Sequence, residues 1–135
     1  MSLTSEERIL KTLRHEEVDR IPTFEWFVDK KVIEAIYPGL SYQEFVYKAD
    51  HDAICVDLNY KSEELEPHLY RDEWGIVKQE TGESHTYPID GPIKTMRDFE
   101  KYDPPDPHVP ERYLTLESEL KAHQGKKAII LHLND

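Results

Sequence analysis

The segment that most constrains this chain is residues 126–135, Lys-Lys-Ala-Ile-Ile-Leu-His-Leu-Asn-Asp. Four consecutive apolar residues behind two lysines, with a fifth after His132, read as a strand covered on both faces, the pattern of a parallel α/β sheet. Such a strand needs a hydrogen-bonded neighbour and a layer on each side. The expectation is therefore the opening part of a larger α/β domain, with much of its chemistry outside these residues.

Two further segments have the same character. Residues 21–27, Ile-Pro-Thr-Phe-Glu-Trp-Phe, read as a strand with Pro22 at its beginning, and residues 53–58, Ala-Ile-Cys-Val-Asp-Leu, as a second buried one. Helices separate them. Thr4 with Glu7 and Ser41 with Glu44 have capping-box spacing, Asp29 can cap a helix carrying Val32, Ile33 and Ile36, and Thr95 with Asp98 starts another. Pro110 begins a longer helix stopped by Gly125. Between the second and third strands, residues 70–80 and 84–89 read as a β-hairpin turning at Gly82. Short buried strands separated by helices imply parallel crossovers. No glycine-rich phosphate loop follows any strand, which removes the main argument for a nucleotide-binding open sheet. The expected fold class is α/β: strands one to three of a (β/α)₈ barrel with a hairpin insertion, all of 1–135 belonging to one incomplete barrel domain.

Strand parity locates candidate chemistry. In each strand one face is apolar and the other turns polar toward the C-terminal end, where barrel sites lie. Glu25, Asp57, Asn59, His132 and Asn134 converge on that reading as substrate-binding candidates. Four have a plainer alternative: Asp57 and Asn59 as loop starters, Glu25 as an exposed edge residue, His132 as a hydrogen-bonded core residue. Cys55 reads as a buried apolar residue rather than a nucleophile. Asp72-Glu73-Trp74-Gly75 reads as a lid or as a packed hairpin, and the acidic run at 63–66 as solvated surface.

A net charge of −11 argues against nucleic-acid or anionic-membrane partners. No apolar run reaches the roughly 18 residues of a membrane span. A single cysteine fits a reducing cytoplasm. The seven histidines show no metal-ligand spacing, so no metal site is expected within the chain itself.

Several segments together resemble the uroporphyrinogen decarboxylase family. Residues 4–22 resemble the family's opening, as do Asp72-Glu73-Trp74-Gly75, residues 88–92 and Met96-Arg97-Asp98-Phe99-Glu100-Lys101-Tyr102, in the family's order. The resemblance implies the barrel and its C-terminal cleft. It also implies either cofactor-free decarboxylation of a tetrapyrrole or methyl transfer among methylated substrates, corrinoid proteins and thiol or folate acceptors. The decarboxylases carry an Arg-rich segment after the first strand that faces substrate carboxylates. Here Glu25-Trp26-Phe27-Val28-Asp29 stands in that place and has no arginine. The resemblance is therefore closer to the methyltransferase-like branch, which implies corrinoid, and zinc held by residues beyond 135. On this reading a small-molecule substrate and a corrinoid protein are the partners, and the 135 residues alone do not complete the reaction. A non-catalytic alternative is a module that self-associates into a homo-oligomer through strand edges.

Overall fold

A computed structural model describes residues 2–82 and 86–133. The chain divides into two compact units, one comprising Met1–Leu58 and Tyr113–Asp135, the other Asn59–Arg112.

The first unit is built on two parallel strands, β1 (Ala53–Asp57) and β6 (Ala128–His132), paired from Ala53 with Ala128 to Asp57 with His132. Helix α1 (Ser5–Leu13) covers one face: Ile9 packs with Ala53 and Ala128, and Ile130 joins them. Helices α3 (Tyr42–Lys48) and α5 (Leu114–His123) cover the other, where Val46, Ile54 and Val56 pack with Tyr42, Leu116 and Ile129. A short helix α2 (Lys30–Ile36) precedes α3, and a 3₁₀ turn (Pro110–Tyr113) leads into α5. The helix starts follow the caps in the sequence. Thr4 Oγ1 accepts from the Glu7 N–H at 3.2 Å while Glu7 returns a bond from the Thr4 N–H at 2.8 Å, and Ser41 with Glu44 repeats the arrangement. Each box satisfies amides that the first helical turn leaves without partners, worth about 1 kcal/mol.

A buried ionic latch closes the N-terminal ends of these strands. Asp52, fully buried just before β1, accepts from Arg8 Nη1, from both Arg20 Nη atoms at 2.9 and 3.0 Å, and from the Thr23 N–H at 2.9 Å. Arg8, also buried, donates to both Asp19 oxygens at 2.6 and 2.9 Å and to the Leu3 carbonyl at 2.9 Å. Buried Lys127, just before β6, donates to the His51 carbonyl and to Ser5 Oγ. Burial pushes the Asp52 carboxyl up, but the Thr23 N–H, Ser5, Arg8 and Arg20 outweigh it and hold it below the ordinary carboxylate range. Hydrogen bonding from Arg8 likewise holds Asp19 down, and burial lowers the Lys127 ammonium.

The second unit is an antiparallel meander of four strands, β2 (Ser62–Glu66), β3 (Leu69–Asp72), β4 (Val77–Glu80) and β5 (Thr86–Asp90), followed by α4 (Met96–Lys101). Asp72-Glu73-Trp74-Gly75 is the β3–β4 turn. Asp72 Oδ1 accepts from the Trp74 and Ile76 N–H groups at 3.1 and 2.9 Å, and its carbonyl accepts from the Gly75 N–H at 2.9 Å. Gly75 has φ of +80°, and a Cβ there would lie 3.2 Å from Pro92 Cβ. Glu73 receives both Arg112 Nη groups at 2.6 and 2.9 Å. The Arg112 guanidinium lies 5.6 Å from the Tyr60 ring centre and 5.8 Å from that of Trp74.

The expected barrel arc is not formed. Among the described residues the parallel sheet has two strands, and the rest of the β-structure is antiparallel. The face of β1 and β6 that a barrel would turn inward is packed on Ile9 of α1. Residues 21–27 do not make a strand: they are irregular, with a bend at Trp26, and meet the start of β1 where the Asp52 N–H donates to the Thr23 carbonyl at 2.6 Å. Pro22 has no N–H for a ladder, and Ile21 is 82% exposed, so no layer covers a strand there. The hairpin exists, with Lys78 opposite Pro88, but it is half of a larger meander. The expected single run 70–80 is broken by the Asp72 turn, and the acidic run 63–66 lies in an exposed strand at the sheet edge. Charged edge strands resist pairing with other chains.

Candidate functional site

The C-terminal ends of β1 and β6 bring together two of the residues that strand parity singled out. The in-register pairing that sets Ala53 opposite Ala128 carries Asp57 opposite His132. Their side chains meet, with His132 Nδ1 and Asp57 Oδ1 2.7 Å apart. A carboxylate can only accept, so Nδ1 carries the hydrogen and donates it. In neutral imidazole Nε2 is then left as the acceptor. This is the orientation of a base held by a carboxylate. Asp57 is 65% exposed at its side chain and His132 23%, so the pair stands at the surface with its imidazole sheltered.

The shelter is Trp26. Its ring lies 4.3 Å from the His132 ring, centre to centre, inclined by 43°. Trp26 sits on the strand parity that the sequence assigned to packing, and the irregular backbone at 21–27 breaks that parity. Tyr42, at the first turn of α3, was also not anticipated. Its hydroxyl donates to the Glu25 carbonyl at 3.0 Å and accepts from the Cys55 N–H at 3.2 Å, tying the 21–27 segment to β1. No periodicity marks such a residue, because Tyr42 also belongs to the apolar cluster over β1.

The Cys55 thiol, two residues before Asp57, is pushed up by burial, pulled down by the Tyr42 hydroxyl and pushed up again by the charges of Asp57 and Glu25. The net direction is upward, so Cys55 stays a neutral thiol at neutral pH and does not serve as an activated nucleophile. Burial pushes the Tyr42 phenol up to about 12, with the Glu25 charge contributing in the same direction. The exposed Glu25 carboxylate thus acts on both Cys55 and Tyr42 through space. Asn59 opens the second unit, where its N–H donates to the Arg112 carbonyl at 2.9 Å. Asn134 lies outside the described residues.

Among the described residues no three His, Cys, Asp or Glu side chains cluster closely enough to hold a metal ion. With Cys55 neutral, these donors do not compose a zinc site. Among the described residues no helix is long and apolar enough to cross a membrane. No protein-family model, curated protein or solved structure matches this chain.

Proposed function

We propose that this chain carries part of the substrate site of an enzyme similar to the uroporphyrinogen decarboxylase family, in its methyltransferase-like branch, and that Asp57 and His132 are its hydrogen-bonding and proton-holding pair. The observation that carries the reading is the 2.7 Å Asp57–His132 contact at the C-terminal ends of adjacent parallel strands. Ligands of parallel α/β sheets bind at that end. The resemblance of residues 4–22, of Asp72-Glu73-Trp74-Gly75 and of residues 96–102 supports the family. It carries the activity to be tested and not the barrel, which this chain does not form.

The branch is favoured by charge. Asp57 and Glu25 both act on Cys55, and no arginine stands in residues 25–29. Two carboxylates repel a polyanionic porphyrinogen, whereas a corrinoid-borne methyl group carries no such demand. His132 would hold or accept a proton at Nε2, Asp57 would fix its tautomer, and Trp26 would exclude water from one ring face. A corrinoid protein is the partner on this reading, and a reducing cytoplasm suits the neutral Cys55.

The test is retention of methylcob(III)alamin by the full 135-residue chain in gel filtration, read as red colour co-eluting with protein. The expected result is co-elution that falls at least tenfold in His132→Gln and Asp57→Asn. Absence of retention, or retention indifferent to both substitutions, refutes the reading. Preferential retention of a carboxylated tetrapyrrole replaces it with decarboxylation.

A further inference from the structure

We infer that one face of the antiparallel meander binds a neutral, polyhydroxylated ring, a pyranose sugar. The site lies wholly within the second unit, uses neither Asp57 nor His132, and stands independently of the reading above.

Strand register builds the site. Side chains two apart on a strand share a face, and so do residues paired across a ladder. Ser62 is opposite Asp72, Tyr70 opposite Lys78 and Glu80 opposite Thr86, so these six side chains fall on one face of β2–β5. They line a concavity of about 350 Å³, with Tyr60 in its wall. That is near the lower end of the roughly 300–1,000 Å³ of small-molecule sites, room for one ring-sized ligand.

Charge in the lining is balanced, Lys61 and Lys78 against Asp72 and Glu80, so neither an anion nor a cation gains a net attraction. Lys78 Nζ lies 2.9 Å from Asp72 Oδ2, and the Asp72 side chain is 10% exposed. A zwitterion would have to part this pair, which a neutral ligand leaves in place. Hydrogen-bonding capacity is nonetheless left over. Asp72 Oδ1 serves the Trp74 and Ile76 N–H groups, but Oδ2 accepts no hydrogen bond, the Lys78 contact being ionic and out of alignment. Among the described residues the hydroxyls of Tyr60, Ser62 and Tyr70 engage no partner either. A sugar hydroxyl both donates and accepts, so it can serve a carboxylate, an ammonium and a phenol alike. The Lys78 side chain is 29% exposed, which leaves its ammonium free to turn from Oδ2 and let a ligand hydroxyl meet both. Tyr70 supplies the apolar surface. Its half-buried ring has no ring or cation partner among the described residues, whereas the Tyr60 ring is held by Trp74, centres 4.8 Å apart, and by Arg112. The C–H face of a pyranose lies against such a phenol ring while its hydroxyls meet the polar rim.

The experiment titrates the full chain with the methyl β-glycosides of glucose, galactose and mannose, and reads backbone amide chemical shifts. Cyclohexanemethanol is the apolar ring control and alanine the zwitterion. The expected result is saturable binding of at least one glycoside, with shifts centred on residues 60–62, 70–72 and 78–80, and at least tenfold weaker binding of both controls. Tyr70→Phe, which removes a free hydroxyl and keeps the ring, and Lys78→Met each weaken that binding about five- to tenfold, the worth of one hydrogen bond. The amide spectrum shows whether each variant keeps the parent fold, and Tyr70→Phe decides if Lys78→Met does not. No saturable shift with any glycoside, shifts centred away from this face, binding of either control as tight as the glycoside's, or indifference to Tyr70→Phe overturns the inference.

Discussion

Replacing Asp52 by alanine tests whether the buried latch or the apolar clusters hold the first unit together. The carboxylate is 0% exposed and takes hydrogens from Arg8, from both Arg20 Nη atoms and from the Thr23 N–H. Not every lost bond counts equally. Arg20 is 37% exposed at its side chain and keeps Asp50, so its freed N–H groups rehydrate. Arg8 is 5% exposed at its side chain and keeps Asp19, but its Nη1 is left facing a dry hole. The Thr23 side-chain-to-backbone anchor is lost as well. Removing one partner of a buried ion pair destabilises by about 3–5 kcal/mol, and the retained Asp19 pairing places this case near the lower end, about 3 kcal/mol. Asp52→Asn keeps one acceptor oxygen but turns an amide N–H toward two guanidinium groups, and should cost about 2 kcal/mol. Urea unfolding at pH 7, followed by circular dichroism with unchanged slope, reads both values. The pH dependence has a fixed sign. Asp52 has a folded pKa below its unfolded one, so its contribution is complete above the unfolded value of about 3.9 and is lost as pH falls below it. The gap between parent and Asp52→Ala should therefore be constant near neutrality and narrow below about pH 4. A loss under about 1 kcal/mol, or a gap that widens on acidification, would refute the latch as a stabilising element.

In the second unit, Arg112→Lys should lower stability by about 2 kcal/mol, because a lysine cannot make the two-pronged contact with Glu73 or set a planar guanidinium against the Tyr60 and Trp74 rings. Thermal melting read by Trp74 fluorescence, with Trp26→Phe in the background, measures it, and an unchanged midpoint sinks the assignment. Two glycines form a controlled pair. Gly75→Ala meets Pro92 at 3.2 Å with φ of +80°, whereas Gly82→Ala has a similar φ of +78° and its Cβ meets no atom of the described residues within 4 Å. Left-handed backbone alone costs about 1 kcal/mol, so Gly82→Ala should lose about that much and Gly75→Ala about 2 kcal/mol. Equal losses in urea titration would show that the Pro92 contact is inconsequential.

The sequence revealed what is encoded locally. The caps at Thr4, Asp29, Ser41 and Thr95 act within one helical turn, and each helix starts where its cap predicts. Strand alternation separated Ile54, Val56 and Ile129 on one face from Asp57 and His132 on the other, and packing follows that separation. What alternation does not state is which strands become neighbours. Three strand-like segments suggested a barrel arc, but Pro22 removes a donor from the first, and α1 lies over the face that a barrel would enclose. The Asp72-to-Gly75 turn was legible in principle: Asp at the first position and Gly at the fourth is a type I turn preference. The hydrophobic alternation from 70 to 80 concealed it. Arg8, Asp19 and Asp52 carry no local signal, because their value depends on a meeting across 44 residues.

The two ends of the β1–β6 pair invite opposite stability outcomes, and that contrast separates a structural from a functional reading of His132. At the N-terminal ends the charges are buried, and breaking them should be expensive. At the C-terminal ends Asp57 is 65% exposed, and an ion pair in that setting stabilises by at most about 1 kcal/mol. His132→Gln and Asp57→Asn should accordingly each lose less than about 1 kcal/mol in the same urea titration that shows about 3 kcal/mol for Asp52→Ala. The 2.7 Å contact would then be held by strand register rather than holding the strands. A group positioned by the fold at no gain to the fold is available for a ligand. If either substitution destabilises as much as Asp52→Ala, the pair is a clasp between β1 and β6, and the case for a proton-holding histidine at this site falls with it.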